Sequence, residues 1–199
     1  ARLLLMNNRD YYPGHHRALA AASRSVDLVQ AYAYYYFEAP QRPIAPSPDL
    51  RPAGVPSLVN LLFDDLVAAR RRGVAVRAVF DFSVREDGEA RYAAEDFANR
   101  LAALGVDAYR DYPFEQIHAK MALIDDRLIV IGSTNWSYDA VELNNECAVL
   151  IESPELGAYY RQWVDSVFAR SVKITEPGAF QVTPLPTSAA PASRAEEKD

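Results

Sequence analysis

Apolar residues recur along this chain in two periods, every second position and every third or fourth, and stretches of the two kinds take turns from the first residues onward. "RLLLM" reads as a strand, 13–23 as a helix and "SVDLVQAYAYYYF" (25–37) as one long strand. Residues 57–72 have an amphipathic helical pattern closed by Gly73, since a glycine accepts the left-handed conformation in which many helices end. "VAVRAVFDF" follows as a strand, 88–104 as a helix closed by Gly105, and "VDAYRD" as a short strand. "ECAVLIE" is a further strand and 154–170 a final helix, and no internal repeat interrupts the series. Strands alternating with helices predict an α/β fold, a mixed central sheet flanked by helices on both faces, in a single domain over 1–175.

Two stretches fall outside this pattern. "EAPQRPIAPSPDLRPAGVP" (38–56) is rich in proline and has no period, which predicts an extended loop, either shaping access to a site or simply connecting elements. "TPLPTSAAPASRAEEKD" (183–199) has no hydrophobic face and reads as a mostly disordered tail.

The run "IHAKMALIDDRLIVIGSTNW" (117–136) carries the candidate chemistry. As a strand it places Ile117, Ala119, Met121 and Leu123 on one face and His118, Lys120, Ala122 and Ile124 on the other. Asp125-Asp126-Arg127 reads as a turn into a second strand from Leu128. A two-residue loop at Asp126 and Arg127 pairs Lys120 with Ser133 and His118 with Asn135, all on one face. A slip of one residue would send Ser133 and Asn135 to the other. An ammonium, an amide and a hydroxyl suit anionic oxygen, and an imidazole can attack or protonate. No dense group of carboxylates or cysteines suggests a metal, so the expectation is phosphoryl transfer without metal or cofactor.

His118-x-Lys120-x4-Asp125, followed after six residues by Gly132-Ser133-x-Asn135, resembles the HKD signature of the phospholipase D superfamily at every defining position. The resemblance extends to Glu146 in "NNECAVLIE" and, over residues 2–170, to the small bacterial endonucleases that carry a single motif. It implies a phosphodiesterase in which two HKD histidines act together, one forming a phosphohistidine while the other protonates the leaving oxygen. This chain supplies one motif, because His15 and His16 lack the surrounding residues. The implied assembly is therefore a homodimer with the site at its two-fold axis. The resemblance gives Lys120 and Asn135 the phosphate, Ser133 an assisting contact and Glu146 the orientation of the imidazole. Asp125, at the turn, is expected to have a structural role or to act through a neighbour.

Composition narrows the substrate only partly. A formal net charge of −6 over 199 residues argues against strong non-specific nucleic-acid binding, which relies on clustered cations, although Arg70, Arg71 and Arg72 form a local basic group or else complement a helix end. Tyr34, Tyr35, Tyr36 and Phe37 suit base stacking, acyl contact or plain packing, and Trp136 either lines the site or anchors the sheet. His15 and His16 are expected at the surface, and the single cysteine, Cys147, as a small core residue. No apolar run is long enough for stable membrane insertion. The chain begins at Ala1, which fits a removed export signal or a fragment, so localisation is left open. Nucleic acid is the favoured substrate, with phospholipid hydrolysis or phosphatidyl transfer next and a non-catalytic binding module last.

Overall fold

In the computed structural model the described residues are 1–36, 56–82, 89–112 and 115–178, with backbone only at 89 and 90. The expected tail 183–199 and all but the last residue of the proline-rich loop 38–56 lie outside them. The elements are β1 (Arg2–Leu5), α1 (Tyr11–Ala20), β2 (Ser25–Gln30), α2 (Leu58–Arg71), β3 (Ala75–Phe80), α3 (Glu89–Ala103), β4 (Asp107–Arg110), β5 (Lys120–Ile124), β6 (Leu128–Gly132), β7 (Ala148–Glu152), α4 (Pro154–Arg170) and β8 (Val172–Lys173).

The strands form one eight-stranded sheet in the order β1-β7-β6-β5-β2-β3-β4-β8. β2, β3 and β4 run parallel, because α2 and α3 each return the chain to the end from which it left. The other pairings are antiparallel, so the sheet is mixed.

Alternation along the strands divides the core. Val26, Leu28, Val76, Ala78, Ala122 and Ile124 pack under α1, α2 and α3, while Val29, Val79, Met121, Leu123 and Ile129 meet Val164, Val167 and Phe168 of α4 on the opposite face. Helices thus cover both faces, as the pattern predicted. On the α4 face the buried Asp27 is held by Arg77 at 2.5 Å and Arg161 at 2.6 Å. Ser57 and Ser153 cap α2 and α4 through the amides of Val59 and Leu156. Gly73 and Gly105 close α2 and α3 at φ of +92° and +85°.

Several expectations are corrected. The long strand 25–37 stops at Gln30. Beyond it the backbone turns to Trp136, whose N–H donates to the Tyr32 carbonyl at 3.0 Å and whose carbonyl accepts from Tyr34 at 2.9 Å. The first helix starts at Tyr11, and β8 is an unforeseen edge strand on β4. His15 is buried, with its ring edge-on to Tyr11 and Trp136, whereas His16 is half-exposed and bonded to Asp65 at 2.9 Å. Burial without a partner pushes His15 down to about 3. Cys147 is exposed just ahead of β7 and is not a core residue.

Candidate active site

The hairpin differs from the expected register by one residue. Ile124 pairs with Leu128 and Met121 with Ile131, which leaves Asp125, Asp126 and Arg127 as the loop and Lys120 opposite Gly132. The cause lies outside the hairpin. Asp125 leaves the ladder at φ +53° because its carboxylate accepts from the backbone N–H groups of Ser23, Arg24 and Ser25 at 3.0, 2.7 and 2.9 Å, and from the Ser23 hydroxyl at 2.9 Å. Burial opposes ionisation there, but the donors outweigh it and hold the carboxyl below the usual carboxylate range. Asp125 sits at the far end of β5 from His118, and the structure does not bring it to the site.

Lys120, at the first position of β5, lies beside Gln30 of β2 and is 9% exposed. Its ammonium donates to the His118 carbonyl at 2.8 Å. Burial lowers its pKa, while the negative charges of Glu146 and Asp81 pull the other way. The imidazole of His118 is exposed and takes no hydrogen bond among the described residues.

β6 ends at Gly132 because the chain passes close to β7 there: a Cβ on Gly132 would fall 2.3 Å from the Cys147 carbonyl oxygen. Ser133 N–H donates to that oxygen at 2.9 Å, and the Ser133 hydroxyl donates to Glu146 while accepting from Cys147 N–H at 3.1 Å. Asn144 also donates to Glu146, at 3.2 Å. Lys120, Ser133 and Glu146 are therefore brought together, while no hydrogen bond joins Glu146 to His118 among the described residues. Asn135 follows, partly buried, with its Oδ1 enclosed and unbonded. Trp136 is fully buried and donates through Nε1 to Tyr11 Oη at 3.0 Å, so it anchors this segment and does not line the site.

Two clefts meet at His118. One is lined by Lys120, Met121, Ile131, Tyr159, Tyr160 and Trp163. The other is bordered by Asp111, Tyr112, Glu115, Trp163 and Arg170. Tyr35 and Tyr36, by contrast, pack on Phe63 and Tyr138, and Arg70 and Arg72 reach the carbonyls of Gly105 and Leu19.

A pair of buried carboxylates that the motifs did not mark, Asp81 and Asp111, lies one just past the end of β3 and the other just past the end of β4. Asp111 accepts from the Phe82 N–H at 2.6 Å, and burial, with the Asp81 charge beside it, pushes its carboxyl up to about 7. Their signal was a carboxylate closing each of two apolar strands, at the strand ends where α/β sheets bind ligands.

Comparison with known proteins bears on the family and the fold. Residues 17–168 match the family model described as cardiolipin synthase, PLD-like domain. The chain is 30% identical over 105 residues to a mitochondrial cardiolipin hydrolase of Chlamydomonas reinhardtii, covering 53% of this chain and 44% of that protein. It spans less than half the length of the curated relatives it matches. Among solved structures, the phospholipase D family member Nuc of Salmonella typhimurium aligns with a TM-score of 0.63 at 22% identity, over 88% of this chain and all of Nuc. NucT of Helicobacter pylori aligns with a TM-score of 0.61 at 15% identity, over 87% of this chain and 99% of NucT. With the family model spanning most of the chain and the fold reproduced over its length, this protein belongs to the phospholipase D-like family.

Proposed function

We propose that the chain is a phosphodiesterase that cleaves nucleic-acid phosphodiester bonds through a covalent phosphohistidine, without a metal, at a site shared by two copies. The observation that carries this is the state of His118, an exposed, unbonded imidazole beside a buried ammonium at the junction of two clefts. An imidazole nitrogen of one copy attacks phosphorus, forming a P–N bond as the P–O bond to the leaving group breaks. The His118 of the second copy gives its proton to the departing oxygen. Water, deprotonated by that second imidazole, then breaks the P–N bond and frees the phosphate product. Lys120 and Asn135 hold the phosphoryl oxygens, with Ser133 assisting. Glu146, which already accepts from Ser133 and Asn144, orients the His118 imidazole.

The apolar and aromatic lining of one cleft, Met121, Ile131, Tyr159 and Trp163, favours a second reading in which the phosphodiester belongs to a phospholipid. Hydrolysis of bis(p-nitrophenyl) phosphate in excess EDTA by the wild type and by His118→Ala tests the chemistry. Turnover that survives chelation and is lost in the variant is expected. Single-stranded DNA, duplex DNA and cardiolipin vesicles then separate the substrates, and cleavage of the vesicles alone would decide for the second reading.

A further inference from the structure

On the face of the sheet under α1, α2 and α3, the apolar row of β2 ends in a polar group. Val26, Leu28 and Gln30 share that face, and at the last position the register sets Phe80 of β3 on one side of Gln30 and Lys120 of β5 on the other. Gln30 is 1% exposed. Its amide nitrogen donates to the Tyr32 carbonyl at 3.2 Å and to the Thr134 carbonyl at 3.3 Å. These two acceptors fix the orientation of the amide, because the opposite flip would set its oxygen against two carbonyl oxygens. Gln30 Oε1 is enclosed and has no hydrogen-bond partner among the described residues.

A buried amide with its oxygen unpaired fills an apolar row poorly. Desolvating that oxygen costs free energy that no partner among the described residues offsets, whereas a methionine of similar volume would continue the row without the cost. Stability gives no reason for a glutamine here, but its two acceptors do. Thr134 lies between Ser133 and Asn135, and the residues on either side of that pair of peptide links are tied elsewhere, Ser133 N–H to the Cys147 carbonyl at 2.9 Å and Trp136 N–H to the Tyr32 carbonyl at 3.0 Å. Gln30 fastens the stretch in between to β2. Tyr32, its other acceptor, has its ring under the Lys120 ammonium, 6.0 Å from the centroid. One nitrogen thus joins the surroundings of Lys120 to the turn that carries Ser133 and Asn135.

We propose that Gln30 is a positioning residue, whose amide sets the Ser133–Asn135 turn against Lys120 so that ammonium, hydroxyl and side-chain amide close on one phosphoryl group. The proposal rests on the reading of the site given above. Gln30 lines neither of the clefts that meet at His118, so it acts through the residues that it holds and not on the substrate. A glutamine at this position exchanges a better-packed row for a fixed spacing between the two halves of the phosphate site.

The test compares wild type with Gln30→Met, which fills the same space without a donor. Three readouts are taken on each protein: kcat and KM on bis(p-nitrophenyl) phosphate, the midpoint of urea denaturation, and hydrogen exchange of the Ser133 and Trp136 amides, both of which are bonded in the structure. The variant should lose at least about tenfold in kcat with KM nearly unchanged, since a displacement of well under an ångström in the groups that meet the reacting phosphate is enough for such a loss. Its denaturation midpoint should stay level or rise, because the unpaired Oε1 is gone, while the two amides exchange faster. A residue with a merely structural role would instead lose midpoint and activity together. Gln30→Asn, whose amide is one methylene too short to reach both carbonyls, makes the same comparison should Gln30→Met fail to fold. An unchanged kcat, or one that falls only in step with the folded fraction, overturns the proposal. An absence of turnover in wild type would sink the phosphodiesterase reading, and the exchange arm would then decide by itself whether Gln30 holds the Ser133–Asn135 turn.

Discussion

Asp125 is bonded to the backbone N–H of Ser25 at 2.9 Å, so the aspartate of the HKD signature ties the β5–β6 turn to the start of β2, at the opposite end of the strand from His118. Replacing it with Ala leaves three backbone donors short of their acceptor, each costing ~1–3 kcal/mol if it stays buried. Asp125→Ala should therefore melt well below wild type, yet turn over normally per folded molecule at low temperature. The same carboxyl predicts the acid limb of stability. Its folded pKa lies below the ordinary value, so its contribution is present above about pH 4 and is lost as pH falls through the folded value. Denaturation curves from pH 6 downward should show a steeper loss for wild type than for Asp125→Asn.

Glu146 and Lys120 make a second prediction. Burial already lowers the Lys120 pKa, and the Glu146 charge partly restores it. Glu146→Gln removes that support, so the alkaline limb set by loss of the ammonium should move to lower pH. A pH–rate profile with an unmoved or raised alkaline limb would contradict this coupling.

Gly132 makes a third. A Cβ at this position meets backbone atoms, 2.3 Å from the Cys147 carbonyl oxygen and 2.6 Å from the Ala148 Cα. Backbone yields less readily than a side chain, so Gly132→Ala should cost about 1–3 kcal/mol and weaken turnover by shifting Ser133 and Asn135. Urea denaturation and kcat measured on the same preparation check both parts.

Trp136 and Tyr11 make a fourth. Tyr11→Phe leaves the buried indole N–H without its 3.0 Å acceptor, at a cost of ~1–3 kcal/mol. The fluorescence of Trp136 should shift as its hydrogen bond is lost, and Tyr11→Phe should unfold at lower denaturant with little change in the slope of the transition.

The strand and helix order was legible because the burial period is written locally, and the serine and glycine ends of α2 are local as well. His118, Lys120, Ser133 and Asn135 stood out as polar groups in a strand-forming run. The hairpin register did not follow from its own residues, because the partners that draw Asp125 out of the ladder are the distant Ser23, Arg24 and Ser25. His15 looked like its neighbour His16, and only the arrival of Trp136 from far along the chain makes a pocket for it. The placing of Asp81 and Asp111 at adjacent strand ends likewise depends on parallel pairing between strands separated by α3, which no local pattern announces.

The order of the sheet also bears on how the molecule comes to be made. β2, β3 and β4 are successive strands that pair side by side, whereas β5, which starts at Lys120, docks on the free edge of β2 after the chain has passed through all three. Pairing between segments so distant in the chain is slow, since the loop between them must first be closed. The parallel unit can therefore gather early, and the pairing of Gln30 with Lys120 is among the later contacts to form. A half-folded chain then holds most of its core but not yet the strand that begins at Lys120, so the segment of the HKD signature is among the last parts of the sheet to find its place.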